Sequence, residues 1–115
     1  MRAIIILLTL TLVFVSGSVF NEFFVENEIN KMVDDVNKIS TTDDLKAVVK
    51  KWEKLSEKLE IIIDHGDLEE VSQHLWAMEE EILYDFDEFM ESKALTLQML
   101  SHIKDRNTLA LVNVL

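Results

Sequence analysis

"LKAVVKKWEKLSEKLEIII", Leu45 to Ile63, has the cleanest period in the chain. Leu45, Val48, Val49, Trp52, Leu55, Leu59, Ile62 and Ile63 recur three and four residues apart, the repeat of one helical face. Lys46, Lys50, Glu53, Lys54, Glu57 and Lys58 fill the opposite face, a solvated surface suited to ion pairs along the helix. The fold depends on whether the flanking sequence supplies cover for the apolar stripe.

Downstream, "IIIDHGDLEEV" (Ile61–Val71) links this helix to a second stripe. Gly66 suits the residue just past a helix end, where a left-handed conformation is wanted. Asp67, with Glu70 three residues later, suits the cap of the next helix. Leu68, Val71, Leu75, Met78 and Ile82 then form a seam for packing on a neighbour, with Trp76 and Leu83 widening it. The period slips in "DFDEFMESKAL" (Asp85–Leu95). That slip predicts a turn or kink near Asp85–Glu88, with Asp87 as cap. An unbroken helix from Leu68 to Ile103 would run about 54 Å, too long for the preceding helix to cover. A fourth helix carries Phe89, Met90, Ala94, Leu97, Leu100 and Ile103, until "KDRN" (Lys104–Asn107) breaks the pattern. The apolar tail "TLALVNVL" is expected to fold back onto the bundle.

Upstream, "STTDD" (Ser40–Asp44) offers Thr41 or Thr42 as a cap, with Asp43 and Asp44 in the first turn. Before it, Phe24, Ile29, Met32, Val36 and Ile39 mark a further helix. That helix continues from "MRAIIILLTLTLVFVSGSVF", which carries Arg2 as its one charge. The apolar run Ala3–Phe20 spans about 27 Å as a helix, close to the roughly 30 Å of a bilayer core. It reads as an uncleaved anchor, or as a signal peptide cut near Val15-Ser16-Gly17. The apolar Val19-Phe20 and Phe23-Phe24-Val25 favour the anchor. Arg2 and the acidic flank Glu22, Glu26 and Glu28 place the body outside the cytoplasm.

The expected fold is all-α: an N-terminal transmembrane helix over 1–20, then an antiparallel bundle of three to four helices over 21–115. The 115 residues include no cysteine and no proline, and glycine only at 17 and 66. A hydrophobic core, not a disulfide, must hold the body together.

The body holds ten basic and 22 acidic residues, a net −12. That balance argues against nucleic acid and against adhesion to anionic lipid. Twelve of the acids lie between Leu59 and Ser92, where no lysine or arginine occurs, whereas the preceding helix has five lysines. The contrast favours antiparallel pairing of those two helices.

Chemistry is sparse. Asp64, His65 and His74 are the candidate ligands for a divalent cation, and Glu70–His74 supplies an i, i+4 pair. The spacing fits no calcium loop, and helix punctuation explains more of these residues. Glu79, Glu80, Glu81, Asp85, Asp87, Glu88 and Glu91 read as a solvated face rather than a desolvated acid–base pocket. His102 reads as a surface residue, and Trp52 and Trp76 as core, with one of the two serving as an interface anchor. No nucleophile elbow and no phosphate-cradling loop is present. Neither an enzymatic activity nor a cofactor nor a small-molecule substrate is expected.

"KKWEKLSEKLEIIIDHGDLEEV" (Lys50–Val71), "ALTLQMLSHI" (Ala94–Ile103) and the ending "LVNVL" resemble the bacterial domain-of-unknown-function family DUF4363. The resemblance covers nearly the whole chain, although Trp76, Tyr84, Phe86 and Phe89 make its third helical region more aromatic. It implies a small membrane-attached protein of Gram-positive bacteria and transfers no functional residue. The expected role is an interaction module of the cell envelope that meets a protein partner. A cation-responsive sensor and a cleaved, secreted helical protein are the alternatives.

Overall fold

The computed structural model describes the backbone of Arg2–Val114 and the side chains of residues 2–16 and 23–107. Among the described residues there are four helices: α1 (Arg2–Asn37), α2 (Thr42–Leu59), α3 (His65–Tyr84) and α4 (Phe86–Val114). No strand occurs among the described residues. The all-helical class follows from the three-and-four spacing of apolar residues and the absence of internal breakers.

Local chemistry sets the boundaries. Thr41 caps α2: its hydroxyl accepts the Asp44 N–H at 3.1 Å, and the Asp44 carboxylate accepts the Thr41 N–H at 3.2 Å. The same carboxylate accepts the Ser40 N–H and hydroxyl at 3.1 and 3.0 Å. These bonds, the Ser40 N–H first, hold Asp44 below the usual carboxylate range. Between α3 and α4 only Asp85 leaves the helical conformation, at φ −148° and ψ 93°. Its side chain accepts the Glu88 N–H at 3.2 Å, so Asp85 is the cap that was expected at Asp87.

The buried stripes meet in one core. Val25, Ile29, Met32 and Val36 come from α1, and Leu45, Val48, Trp52, Leu55 and Leu59 from α2. Leu68, Val71, Leu75 and Met78 come from α3, and Phe89, Leu100 and Ile103 from α4. Each helix packs on the next in the chain, and α4 closes against α1. Cross-helix contacts give the directions. Lys93 reaches the Asn37 carbonyl at 3.0 Å while Lys104 reaches Asn30 at 3.1 Å, so α1 and α4 run antiparallel. Met78 lies beside Thr96 and Asp67 beside Arg106, which sets α3 against α4 in the same sense.

Three expectations change. α4 does not break at Lys104–Asn107: it continues through these residues to Val114, and the expected fold-back does not occur in its backbone. Lys104 and Arg106 instead tie α4 to its neighbours, Lys104 to Glu26 at 3.7 Å and Arg106 to Asp67 at 2.7 Å. Second, the α2 lysine with an inter-helix partner, Lys51, pairs with Asp35 of α1 at 3.3 Å rather than with the acids of α3. Third, the buried face of α4 includes Ser92 and Thr96 in place of Met90 and Ala94. Thr96 donates to its own helix at the Ser92 carbonyl, 2.8 Å away, so its hydroxyl is satisfied inside the core.

The molecule measures 69 × 22 × 20 Å, because the first half of α1 stands clear of the bundle. Among the described residues no helix is long and apolar enough to cross a membrane. The described part of the apolar run, Ala3–Val15, covers about 20 Å. The rest of the expected anchor, Met1 and the side chains of residues 17–20, lies outside the described residues.

Candidate functional site

The α2–α3 turn holds the residues with most chemical promise, and it is built as punctuation. α2 ends when the Ile62 and Ile63 N–H groups both return to the Leu59 carbonyl, at 2.9 and 2.8 Å. Asp64 then caps α3, its carboxylate accepting the Gly66 N–H at 3.3 Å. The helix therefore starts three residues earlier than the Gly66–Asp67 reading expects. Gly66 lies in the first turn of α3, and among the described residues no glycine has a positive φ. Asp67 is freed from capping and binds Arg106.

The position of Gly66 gives a direct prediction. A Cβ added there would meet nothing closer than the Asp64 carboxylate, at 3.9 Å. Gly66→Ala should therefore stabilise the protein by about 0.5–1 kcal/mol, because alanine loses less backbone freedom in a helix. A loss of stability in urea unfolding would show that the glycine is needed for another reason.

His65 points outward. Its side chain is 75% exposed and its Nε2 lies 3.9 Å from the Glu69 carboxylate, itself exposed. His65→Asn should change stability by less than about 0.5 kcal/mol, as for other surface substitutions. Thermal unfolding of the two variants side by side separates this outcome from the Gly66 effect.

The candidate cation ligands do not converge. His65 and His74 lie nine residues apart on one helix, about 13.5 Å along its axis, too far to share an ion. The Asp64 carboxylate is engaged by the Gly66 N–H. His74 instead lines a shallow groove between α3 and α4 with Glu70 and His102. Among the described residues, no group of three histidine or carboxylate side chains is placed to hold a metal ion. His102 is exposed, as the sequence reading expects.

Two exposed apolar surfaces remain. The first is the N-terminal part of α1, over residues 2–16. Ile4, Ile5, Ile6, Leu7, Leu8, Leu10, Leu12, Val13 and Phe14 are all 59–68% exposed, on every side of the helix. The hydroxyls of Thr9 and Thr11 donate to the Ile5 and Leu7 carbonyls at 2.8 and 2.9 Å, so they need no outside partner. Such a helix has no polar face to turn toward water.

The second surface surrounds the α3–α4 corner, where Leu83, Tyr84 and Phe86 are 61, 82 and 68% exposed. Phe86 leans on the buried Phe89 with ring centroids 6.0 Å apart. Met90 follows one turn later, and Trp76, two turns before Leu83, is half exposed; it is not a core residue. Carboxylates crowd this corner. Glu91 first, then Asp85, slight desolvation, Glu81 and Asp87, push the exposed Glu88 carboxyl above its usual range. One Glu81 oxygen is buried without a hydrogen-bond partner.

A raised carboxyl pKa favours the folded state at low pH, and that contribution disappears as pH rises through the folded value. Glu88→Gln should accordingly raise the melting temperature at neutral pH. The gain should vanish once the medium is acidic enough to protonate Glu88 in both states. A gain that persists in acid would exclude charge repulsion as its cause.

The sequence pattern anticipated the acidic run and the exceptional aromatics but not their shared exposure, since Trp76 and Leu83 sit on what reads as a core stripe. It missed Arg106 altogether, because a cation outside the apolar period carries no sign of its partner. Comparison with protein-family models, with curated proteins and with solved structures finds no match for this chain.

Proposed function

We propose that the protein is a membrane-anchored interaction module of the bacterial cell envelope. In this reading the first helix crosses the membrane once, with an antiparallel helical bundle on the extracytoplasmic side. The observation that carries it is the free half of α1, where nine large apolar side chains are solvent-facing on all sides. Contiguous exposed apolar surface of this kind marks a membrane or protein contact. The full run Ala3–Phe20 has the length for one span. Arg2 at its start and the acidic residues after it favour an outward-facing body.

The bundle offers a protein partner the α3–α4 corner. Tyr84, Phe86, Leu83 and Met90 supply apolar anchors, and the surrounding carboxylates favour a basic partner. Intact-mass measurement of the native protein tests the anchor: membrane-bound chains should retain residues 1–16. A chain found in the medium and starting near Ser18 would favour the cleaved, secreted alternative. A photo-crosslinker in place of Tyr84 or Phe86 tests the partner surface in cells. Adducts no more abundant than those from the lysine face at Lys54 would remove the corner as an interaction site.

A further inference from the structure

The apolar residues of the α2–α3 turn have no role in the site described above. Ile61 is 92% exposed and Ile62 39%, although the stripe that leads to them is core. Phe23 of α1 is 72% exposed. Their heights along the molecule can be compared through the α1–α2 contacts. Lys51 pairs with Asp35 at 3.3 Å, and Lys58 lines a common groove with Glu28. Each step along α2 thus matches one step back along α1. Extended past the end of α2 at Leu59, the same register brings the turn at Ile61 and Ile62 to about the level of Val25 and Phe24.

This level coincides with an expected boundary. α1 is a single helix from Arg2 to Asn37. If its apolar run begins the span at Ala3, a hydrocarbon core of about 30 Å ends near Glu22–Phe23 at 1.5 Å per residue. A headgroup layer of about 5–7 Å extends the membrane by roughly four more residues. The turn falls within that layer.

The local charges suit such a position. Asp67 is bound by Arg106 at 2.7 Å, Glu26 by Lys104 at 3.7 Å, and Asp64 accepts the Gly66 N–H. At the opposite end of the bundle, by contrast, the carboxylates around Glu88 repel one another. The end with two ion-paired carboxylates and exposed isoleucines is the one nearer the apolar run of α1.

We propose that the α2–α3 turn is a second membrane contact, with Ile61 and Ile62 entering the headgroup layer of the bilayer that α1 crosses. The proposal rests on the anchored reading of α1. Two attachments on one rigid bundle would fix its tilt and hold the acidic corner away from the surface. A single helix would leave the body free to lean.

The chain lacks cysteine, so a single engineered thiol can report depth. The full-length protein is reconstituted in phosphatidylcholine nanodiscs with an environment-sensitive fluorophore at Ile61→Cys, Leu10→Cys or Tyr84→Cys. The lipid carries a nitroxide either high on the acyl chain or near its end. The expected result is strong quenching of position 61 by the high nitroxide, of position 10 by the deep one, and of position 84 by neither. Quenching at position 10 without quenching at 61 overturns the turn contact and leaves the anchor intact. No quenching at position 10 overturns both. Equal quenching at 61 and 84 shows a body lying on the membrane and overturns the fixed tilt. A blue-shifted but unquenched label at 61 overturns the proposal in favour of contact with a second copy of the chain. Position 61 is almost fully solvated, so the label leaves the core undisturbed; circular dichroism of each labelled protein checks this.

Discussion

Replacing Trp52 by alanine should cost about 3–5 kcal/mol of folding stability, the range for removing a large buried aromatic. Trp52 is 1% exposed and sits among core residues from the rest of the bundle. Its indole N–H donates to the Ser72 hydroxyl at 2.8 Å, and Ser72 in turn donates to the Leu68 carbonyl at 3.2 Å. The side chain thus fills volume and also fixes the rotation of α3 against α2. A domain of this size has roughly 5–15 kcal/mol in total, so the alanine variant would lose a large fraction of its stability. Trp52→Phe separates the two contributions. It retains most of the apolar contact and loses the hydrogen bond, whose net value is about 0.5–1.5 kcal/mol, plus the small void left by the missing ring. Ser72 keeps its bond to Leu68, so no donor is stranded. Urea unfolding of the full chain in detergent, followed by circular dichroism, measures both. A loss below about 1 kcal/mol for alanine would place Trp52 outside the core.

The stripe that contains Trp52 was the most legible part of the sequence, for a physical reason. α2 has apolar cover on one side and water on the other, so its period is written in residue type. The α2–α3 turn was misread because Asp64 and Asp67 are both competent caps and glycine usually marks a helix end. A second signal decides between them. With Asp64 as cap, Ile63 before it and Leu68 four positions after it form a hydrophobic staple. Ile63 packs against the core and Leu68 is buried, at 3% exposure. With Asp67 as cap, the equivalent pair would be Gly66 and Val71, which cannot form that contact.

α4 was less legible because two of its buried positions are Ser92 and Thr96, which look like surface residues in a sequence. A hydroxyl bonded back to its own helix can enter a core, and no periodicity of apolar residues reveals it. Lys104 and Arg106 read as a break in the pattern for a related reason. Long cationic side chains reach partners on other helices, and only the fold specifies which. His65 and His74 cannot share one ion, since helical rise separates them whatever their chemistry.

On the proposed anchored reading of α1, the double substitution Leu8→Asp and Leu12→Asp should transfer the protein from the membrane fraction to the soluble fraction without altering the bundle. Both side chains are exposed in the structure, at 64 and 68%, on the part of α1 that stands clear of the core. Neither contributes to the packing that folds the body. Near the centre of a span, each exchange of leucine for aspartate raises the insertion free energy by about 3–4 kcal/mol. Two exchanges together shift partitioning by more than about four orders of magnitude, since each 1.4 kcal/mol is tenfold. The matching control, Lys50→Asp with Lys54→Asp, adds the same kind of charge to the solvated face of α2. It should leave the protein in the membrane pellet after alkaline extraction. Circular dichroism and thermal unfolding should be alike for wild type and the Leu8/Leu12 variant, because the charges fall outside the cooperative unit. If that variant still resists alkaline extraction, attachment does not depend on burial of α1 in hydrocarbon, and the anchored reading fails. If it is released but the bundle also unfolds, the free half of α1 has a folding role that its exposure gives no reason to expect. Release with an intact bundle is the result that follows from a helix apolar on every side, joined to a body that completes its core without it.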